Sequence, residues 1–318
     1  MKYSGIGGQA VIEGIMMMKG EDYAVAVRRP DKEIEVKKDT YQSITKKAKI
    51  LQLPFVRGVF RFADSMIIGM RSLTYSASFF EDDEDAEPGK FEQFLARVFG
   101  EKLESAIMAA VLVISFILAI GIFMLLPLGI ANLFKGVITS DHLMAVLEGV
   151  IRIAIFIIYI KLVSRMEDIR RTFMYHGAEH KCINCVEHGH PLTVKYVRES
   201  SKEHKRCGTS FILIVMVISI LMFMVIRVDT IWMRILSRII LVPVIAGISY
   251  EVLQCAGRSN SKFMDLVSRP GMWMQGLTTK EPDDSMIEVA IAATEAVFDW
   301  REYLTENFPG WEKQLEES

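Results

Sequence analysis

Potential metal ligands are concentrated in one short stretch of this sequence. Five of the six histidines and three of the four cysteines lie between Tyr175 and Cys207. The stretch opens with His176-Gly-Ala-Glu179-His180. Residues four apart on a helix share a face, so both imidazoles could bind one metal ion, with Glu179 in reach of a water on that ion. Imidazole and thiolate ligands favour a divalent transition metal, zinc above all.

The order of these residues, H-x-x-E-H, is the order found in inverzincin metallopeptidases, where the two histidines are ligands and the glutamate is the general base. The pattern therefore predicts a hydrolytic site with Glu179 as the catalytic base. Such a site needs a third protein ligand and an open position for water. We favour His204 or Cys207, because the segment that contains them runs directly into an apolar run. The next candidates are Cys185 and Glu187, followed by Cys182, His188 and His190.

Two alternative interpretations of this stretch stay open. Cys182 and Cys185 form a C-x-x-C pair, which occurs in redox sites and as one half of structural zinc sites. The sequence has one such pair, so a complete four-cysteine site is excluded. The second alternative is that the histidines and thiols are ordinary residues of a basic loop beside a membrane.

The elements that must position this stretch are apolar. About 20 helical residues cross the ~30 Å hydrocarbon layer of a bilayer. Four runs approach or exceed this length, namely 107–134, 143–163, 210–226 and 239–253. Ionisable residues inside such runs are costly in lipid and should face the interior of a helix bundle. Glu148 and Arg152 are four apart and are expected to pair, whereas Glu251 is a candidate ligand or outer partner of the metal site.

Lysine and arginine residues in the connections predict the orientation in the membrane. The connection between the second and third runs carries nine of them, against one in the first connection and three in the third. We therefore expect residues 164–209 and both termini to lie on the cytoplasmic side.

The N-terminal portion, residues 1–105, is expected to be small, cytoplasmic and of α+β type. Ala10–Ile15 is predicted to be a strand, and Tyr23–Arg28 with Glu33–Lys38 a hairpin. The acidic run Glu81–Glu87 is interpreted as a solvated linker.

Three further segments complete the architecture. The glycines at positions 5, 7 and 8 favour turns over a phosphate loop, because no Lys-Ser/Thr follows them. Arg57–Ala77 mixes apolar and basic residues at near-helical spacing, so it is expected either in the lipid headgroup region or packed on its own domain. In the C-terminal segment, 256–318, we predict an ordered loop over Ser268–Pro282 and a helix from Ser285 to about Leu304.

The sequence as a whole thus predicts an α-helical integral membrane protein with about four transmembrane helices. Two helices lie in 106–163 and two in 210–255, on either side of the 164–209 loop. The lipid bilayer is the expected partner, because the hydrophobic residues, 51% of the chain, are clustered into these long apolar runs. A net charge of −2 argues against a nucleic-acid partner. The four cysteines are too few and too clustered for a disulfide framework.

Four motifs resemble those of the DUF1385 family of bacterial membrane proteins, the YqhQ-like group. They are Gly7-Gly-Gln-Ala-Val-Ile-Glu-Gly14, Tyr175-His-Gly-Ala-Glu-His-Lys181, Arg206-Cys-Gly-Thr-Ser-Phe211 and Thr278-Thr-Lys-Glu-Pro282. The resemblance implies a multi-pass inner-membrane protein that is a predicted metal-dependent enzyme. It carries over to His176, Glu179, His180 and Cys207, and His204 fits the family's histidine two positions before the arginine. Cys182 stands where the family often has an apolar residue, which lowers its rank as a ligand.

Two functional hypotheses follow from these observations. The first is a membrane-embedded, zinc-type hydrolase with its site at the cytoplasmic membrane edge. The alternative is a non-catalytic membrane scaffold whose structural metal site holds the cytoplasmic loop and whose soluble parts bind a partner. A transporter is a weaker hypothesis, because the sequence has no visible inverted repeat.

Overall fold

The structure is a computed structural model that describes residues 2–80, 103–204, 206–226, 230–258 and 261–316. The chain forms two compact units. The first unit comprises the described residues of Met1–Phe80, Ile160–Met222 and Arg227–Ser318, and the second those of Glu81–Tyr159 and Phe223–Ile226. The predicted acidic linker, Glu81–Glu87, lies outside the described residues.

Most of the described chain is helical. The helices, in chain order, are α1 (Val56–Ala77), α2 (Leu103–Ile120), α3 (Leu126–Asn132), α4 (Asp141–Val163), α5 (Glu167–Glu187), α6 (Val194–Glu199), α7 (Gly208–Val225), α8 (Ile231–Arg258), α9 (Lys262–Thr278), α10 (Asp284–Val297), α11 (Trp300–Asn307) and α12 (Lys313–Glu316). A π-helical turn, Gly121–Leu125, joins α2 to α3, and two 3₁₀ turns, Ile44–Lys47 and Lys49–Gln52, precede α1.

The first unit is built on an antiparallel meander of four strands. These are β1 (Ile6–Val11), β2 (Gly14–Lys19), β3 (Asp22–Arg28) and β4 (Ile34–Thr40), paired in the order β1-β2-β3-β4. The predicted hairpin over Tyr23–Arg28 and Glu33–Lys38 is confirmed as β3 and β4. The predicted strand Ala10–Ile15 is wrong, because a two-residue turn at Ile12 and Glu13 divides it between β1 and β2.

Successive side chains of a strand point to opposite faces of the sheet. Both faces carry apolar side chains here, and helices cover both. Ile15 and Met17 of β2 join the larger core, which α5 and α10 complete. Met16 of β2 joins a smaller core on the other face, to which α1 contributes Ile68. The N-terminal strands, the predicted cytoplasmic loop and the C-terminal helices therefore share one folded unit.

Four helical segments are long and apolar enough to cross a membrane. They are Val113–Asn132, Asp141–Val163, Gly208–Val225 and Ile235–Ala256, and each lies where an apolar run predicted it. Between 11% and 22% of the most apolar 18-residue window of each segment is buried within the protein, so most of the side chains there are at least partly exposed. Such a surface is the pattern of helices that meet lipid rather than water.

The C-terminal segment differs from the prediction in two places. Of the residues expected to form an ordered loop, 268–278 belong to α9, which contains Pro270 within the helix, and 279–282 follow it outside any helix or strand. The predicted single helix from Ser285 to Leu304 is divided into α10 and α11, and Asp283 rather than Ser285 caps α10 by accepting a hydrogen bond from the Met286 amide.

Candidate metal centre

Helix α5 carries the H-x-x-E-H residues. One side of this helix is packed in the core, and another side carries the two histidines. Tyr175, Ala178 and Cys182 are buried in the larger core against the sheet and α10. His176 and His180 share another side, with ring centroids 4.4 Å apart. At 100° per residue, Glu179 projects between the core side and the histidine side. Core packing thus fixes the rotation of the helix and with it the direction of both imidazoles.

Backbone carbonyls orient the two histidines. His176 Nδ1 lies 3.0 Å from the carbonyl oxygen of Thr278, and His180 Nδ1 lies 2.7 Å from that of Lys202. A carbonyl can only accept, so each Nδ1 carries a proton, and in the neutral imidazole each Nε2 keeps its lone pair. Carbonyl-bound imidazoles of this kind are the usual form of histidine ligands in metal sites.

Cys207 supplies the third donor atom. Its Sγ lies 3.2 Å from His176 Nε2, and the ligand atoms of His176, His180 and Cys207 all lie within 4.8 Å of one another. Among the described residues, this is the one group of three or more potential ligands that close together. Donor atoms around one tetrahedral zinc ion are roughly 3–4 Å apart, so the three atoms fit such an ion after a small contraction.

Glu179 adds a carboxylate beside this group. One end of the carboxylate is held by the backbone N–H of Gly8 in β1, and Oε2 is buried with no hydrogen-bond partner in the described part of the chain. Burial raises the pKa of Glu179 to about 7, although His176 and the Gly8 amide oppose the shift. An unpaired buried oxygen is costly unless a ligand, an ion or water satisfies it.

Gly8 allows this close contact between β1 and α5. A Cβ at position 8 would lie 2.6 Å from Met17 Sδ and 3.0 Å from Glu179 Cδ, whereas at Gly7 it would meet nothing within 4 Å. The expectation that the glycines at positions 5, 7 and 8 serve turns is wrong for Gly7 and Gly8, which lie within β1. Gly5 precedes the strand and has a φ of 78°.

We therefore expect Gly8→Ala to lower the free energy of unfolding by about 1–3 kcal/mol, the usual cost of overpacking a buried site. The matched variant Gly7→Ala should be close to neutral. Thermal unfolding of both variants in detergent measures the difference. Equal melting temperatures would contradict this account of the β1–α5 contact.

His204 lies close to the group, but the structure gives its side chain another partner. Its Nε2 accepts a hydrogen bond from Arg206 at 3.1 Å and lies 3.6 Å from Glu187 Oε2. Burial lowers the pKa of His204, an effect that Glu187 opposes. The backbone of His204 is held twice by the Gln275 side chain, at 2.8 and 2.7 Å. His204 therefore helps to position the Cys207 segment, and its ring centroid lies 5.7 Å from that of His180.

Glu187 is the centre of a buried polar network rather than part of the donor group. It accepts hydrogen bonds from the Ser4 amide at 3.0 Å, the Ser4 hydroxyl at 2.8 Å and the Arg206 guanidinium. Burial alone would raise the pKa of Glu187, but these partners and His204 hold it below the usual value. The network ties the N-terminus to the segment that ends in Cys207.

The other candidates in the stretch lie apart from the three donor atoms. Cys182 and Cys185 are buried in the larger core, where burial raises the pKa of both thiols, that of Cys185 to about 12. Thiols of this kind stay protonated and unreactive. His188 binds the carbonyl of Asn184, and His190 stacks on Tyr196.

The ionisable residues in the apolar runs have partners of their own. Glu251 of α8 binds the Arg57 guanidinium at 2.5 and 2.7 Å and the Phe55 amide at 3.2 Å. It is therefore not part of the His176–His180–Cys207 group. In the second unit, Glu148 and Arg152 form the expected pair at 2.7 Å, with little exposure of either side chain.

Several residues help to build the site although their role is not visible in the sequence. Gly177 packs so closely on the Lys280 carbonyl that no Cβ would fit, and this contact brings the Thr278 carbonyl to His176. Lys181 is buried and donates to the carbonyls of Arg198 and Ser200. The motifs that contain these residues were visible in the sequence, but nothing in it indicated which long-range contacts they make.

The comparisons with known proteins agree with the motifs. The family model described as "Protein of unknown function (DUF1385)" matches residues 53–300. The uncharacterized protein YqhQ of Bacillus subtilis (strain 168) is 34% identical over 286 residues, which cover 90% of this chain and 89% of that protein. No solved structure matches. The matched range contains the H-x-x-E-H, Arg206-Cys207 and Thr278-Thr279 motifs, whereas the Gly7–Gly14 motif precedes it. The chain belongs to the DUF1385 family.

Proposed function

We propose that this protein is a membrane-embedded, metal-dependent hydrolase whose site is formed by His176, His180, Cys207 and Glu179. One observation carries the proposal: three donor atoms converge beside a buried carboxylate oxygen that has no hydrogen-bond partner among the described residues. Three protein ligands leave a coordination position open, which is typical of catalytic rather than structural zinc sites.

Each residue then has a separate task. His176 and His180 would hold the metal through Nε2, since their Nδ1 atoms are bound to carbonyls. Cys207 would hold it through Sγ, which also accepts a hydrogen bond from the Thr209 amide at 3.4 Å. When bound, zinc supplies Lewis acidity and activates water. Glu179 accepts the proton of the attacking water at Oε2 and returns it to the leaving group.

The test compares Glu179→Gln with His180→Ala in a strain that lacks the gene. Metal content and complementation are measured on the same membranes. The hydrolase proposal requires that Glu179→Gln retain the metal but fail to complement.

A structural metal site is the second candidate, and a specific observation favours it. The donor group joins distant parts of the chain, because the His176 and His180 rings also bind the backbones of Thr278 and Lys202. A metal ion there would clamp α5 to the segment before α7, and the protein would act as a scaffold for a partner. In that case Glu179 has no proton to carry.

We further propose that the protein lies in the bacterial cytoplasmic membrane with both termini inside. The four apolar segments support insertion. The shared core of the N-terminal strands, α5 and α10 supports a common side for these three parts, since one core cannot form across a bilayer. The excess of basic residues in 164–209 makes that side the cytoplasmic one.

Single cysteines test this topology in a Cys255→Ser background, because Cys255 is the exposed native cysteine. Cysteines at Thr139 and Thr230 should react with a membrane-impermeant maleimide on intact cells. A cysteine at Glu203 should react only after the cells are permeabilised. Labelling of the Glu203 position on intact cells would refute the proposed orientation.

A further inference from the structure

Helix α1 packs on its own unit mainly through small and polar residues. Its buried positions are Gly58, Asp64, Ile68, Gly69, Ser72 and Ser76, so Ile68 is the single large apolar side chain among them. Asp64 accepts hydrogen bonds from Tyr41 and Ser43, and Ser76 accepts one from the Ile12 amide. This is the reverse of a soluble amphipathic helix, which buries its apolar side.

The apolar residues of α1 face outward instead. Phe62, Met66, Met70 and Leu73 follow one another at helical spacing and form a single stripe. Phe62 is 49% exposed and Met66 is 53% exposed. We call this set the α1 stripe.

Helix α9 has a similar outward stripe. Phe263, Leu266 and Trp273 lie on one side of the helix, with Leu266 59% and Trp273 62% exposed. The opposite side is anchored in the protein by Ser268 and Gln275, both of which are buried. We call the outward set the α9 stripe.

Both helices meet the first turn of the apolar helix α7. On the α1 side, the Phe62 ring lies 5.8 Å from the Phe211 ring. On the α9 side, Gly271 packs on Ser210, and Gln275 donates to the Ser210 hydroxyl at 3.0 Å. The two stripes therefore continue the apolar surface of α7 at the end next to Cys207.

Helix α8 provides a second point of continuity. Gly58 of α1 packs on Tyr250 of α8, and Gly247 of α8 packs on the backbone of Phe55. Because α8 contains the apolar segment Ile235–Ala256 and leads into α9, the stripes border two membrane-spanning candidates.

The charges around the stripes match an anionic lipid surface. Arg61 of α1 and Lys262 and Arg269 of α9 are exposed. Before α1, the exposed residues Lys47 and Lys49 are followed by the exposed apolar residues Ile50, Leu53 and Phe55. Basic residues beside an apolar stripe, with an outward tryptophan, are the composition of helices that lie in a membrane interface.

We propose that α1 and α9 lie in the headgroup–acyl boundary of the bilayer and that the α1 and α9 stripes contact lipid. This inference rests on the proposed membrane topology and adds to it a lipid-bound rim around the metal centre. Because the rim borders the turn that follows Cys207, it holds the site at the level of the lipid headgroups. The site is then placed to act on amphiphilic or membrane-anchored substrates.

The test uses spin labels on the full chain in vesicles that contain anionic lipid, in the Cys255→Ser background. Labels at Met66 and Leu266 report the two stripes. A label at Val217, exposed on α7, is the lipid control, and one at Glu306, exposed on α11, is the aqueous control. Collision with oxygen, which concentrates in lipid, is compared with collision with a water-soluble nickel chelate.

The proposal expects the oxygen-to-nickel collision ratio at Met66 and Leu266 to be several-fold above that at Glu306 and close to that at Val217. Ratios equal to that at Glu306 would overturn it, because the stripes would then face water. Loss of collision with both reagents would also overturn it, because a second copy or another protein would then cover the stripes. If Val217 itself reported water, the topology would fail, and the failure would be separate from that of the stripes.

Discussion

Alanine in place of both His176 and His180 is expected to abolish binding of a divalent metal to the purified protein. The two Nε2 atoms provide two of the three converging donors, and Cys207 alone cannot hold the ion. Removal of a group that hydrogen-bonds to a metal ligand lowers metal affinity by roughly 10–100-fold. Removal of two ligands should therefore lower the affinity by more than this. Elemental analysis after dialysis against a weak chelator measures the metal content.

The structure offers matched controls for this experiment. His188→Ala removes an imidazole that directly follows the C-terminal end of α5. The Nδ1 of His188 also binds a backbone carbonyl, but this residue lies outside the donor group. His142→Ala and Cys255→Ser remove residues far from the group in sequence. All three controls should retain the metal of the native protein. Full occupancy in the His176→Ala/His180→Ala protein would refute the ligand assignment.

Cys207→Ser and His204→Ala distinguish the two candidates for the third ligand. Cys207 Sγ belongs to the donor group, whereas His204 Nε2 binds Arg206. Cys207→Ser should therefore lose most of the metal, and His204→Ala should retain more of it. The opposite order would favour His204 as the ligand.

Glu179→Gln should keep the metal but lose function if the protein is a hydrolase. The amide preserves the shape of the side chain and can still accept the hydrogen bond from Gly8, but it cannot accept a proton. A general base of this kind contributes typically ~10²–10⁴-fold to the rate. The phenotype of a strain that lacks the gene should therefore persist when Glu179→Gln is supplied.

The same variant has a different outcome if the metal site is structural. Glu179 would then orient neighbouring groups at most, and function would stay intact or fall in proportion to metal content. His180→Ala provides the metal-free reference on the same scale. Complementation by Glu179→Gln with full metal content would exclude the hydrolase and leave the scaffold.

Features that depend on local spacing could be predicted from the sequence. The four apolar helices follow from run length, because 1.5 Å per residue and the thickness of a bilayer set the minimum. The shared direction of His176 and His180 follows from the i, i+4 relation, which holds on any helix. The hairpin of β3 and β4 follows from alternation around a turn.

Strand boundaries and helix stops required the tertiary structure. The segment Ala10–Ile15 contains Glu13 and Gly14, but these residues alone did not fix the turn at Ile12 and Glu13, where the Ile12 amide donates to the Ser76 hydroxyl of α1. Likewise, Pro270 suggested a loop, but packing of Gly271 on Ser210 and the hydrogen bonds of Gln275 keep α9 helical.

The sequence by itself determined which residues could bind a metal, and the tertiary structure decided which of them meet. His176 and His180 converge because they are neighbours on one helix. Cys207 joins them, and His204 does not, because Glu187, Arg206 and Gln275 fix the segment before α7. Glu251, which was a candidate ligand, forms an ion pair with Arg57 instead. These partners are separated by up to nearly two hundred residues, and contacts over such distances depend on how the whole unit packs rather than on any local period.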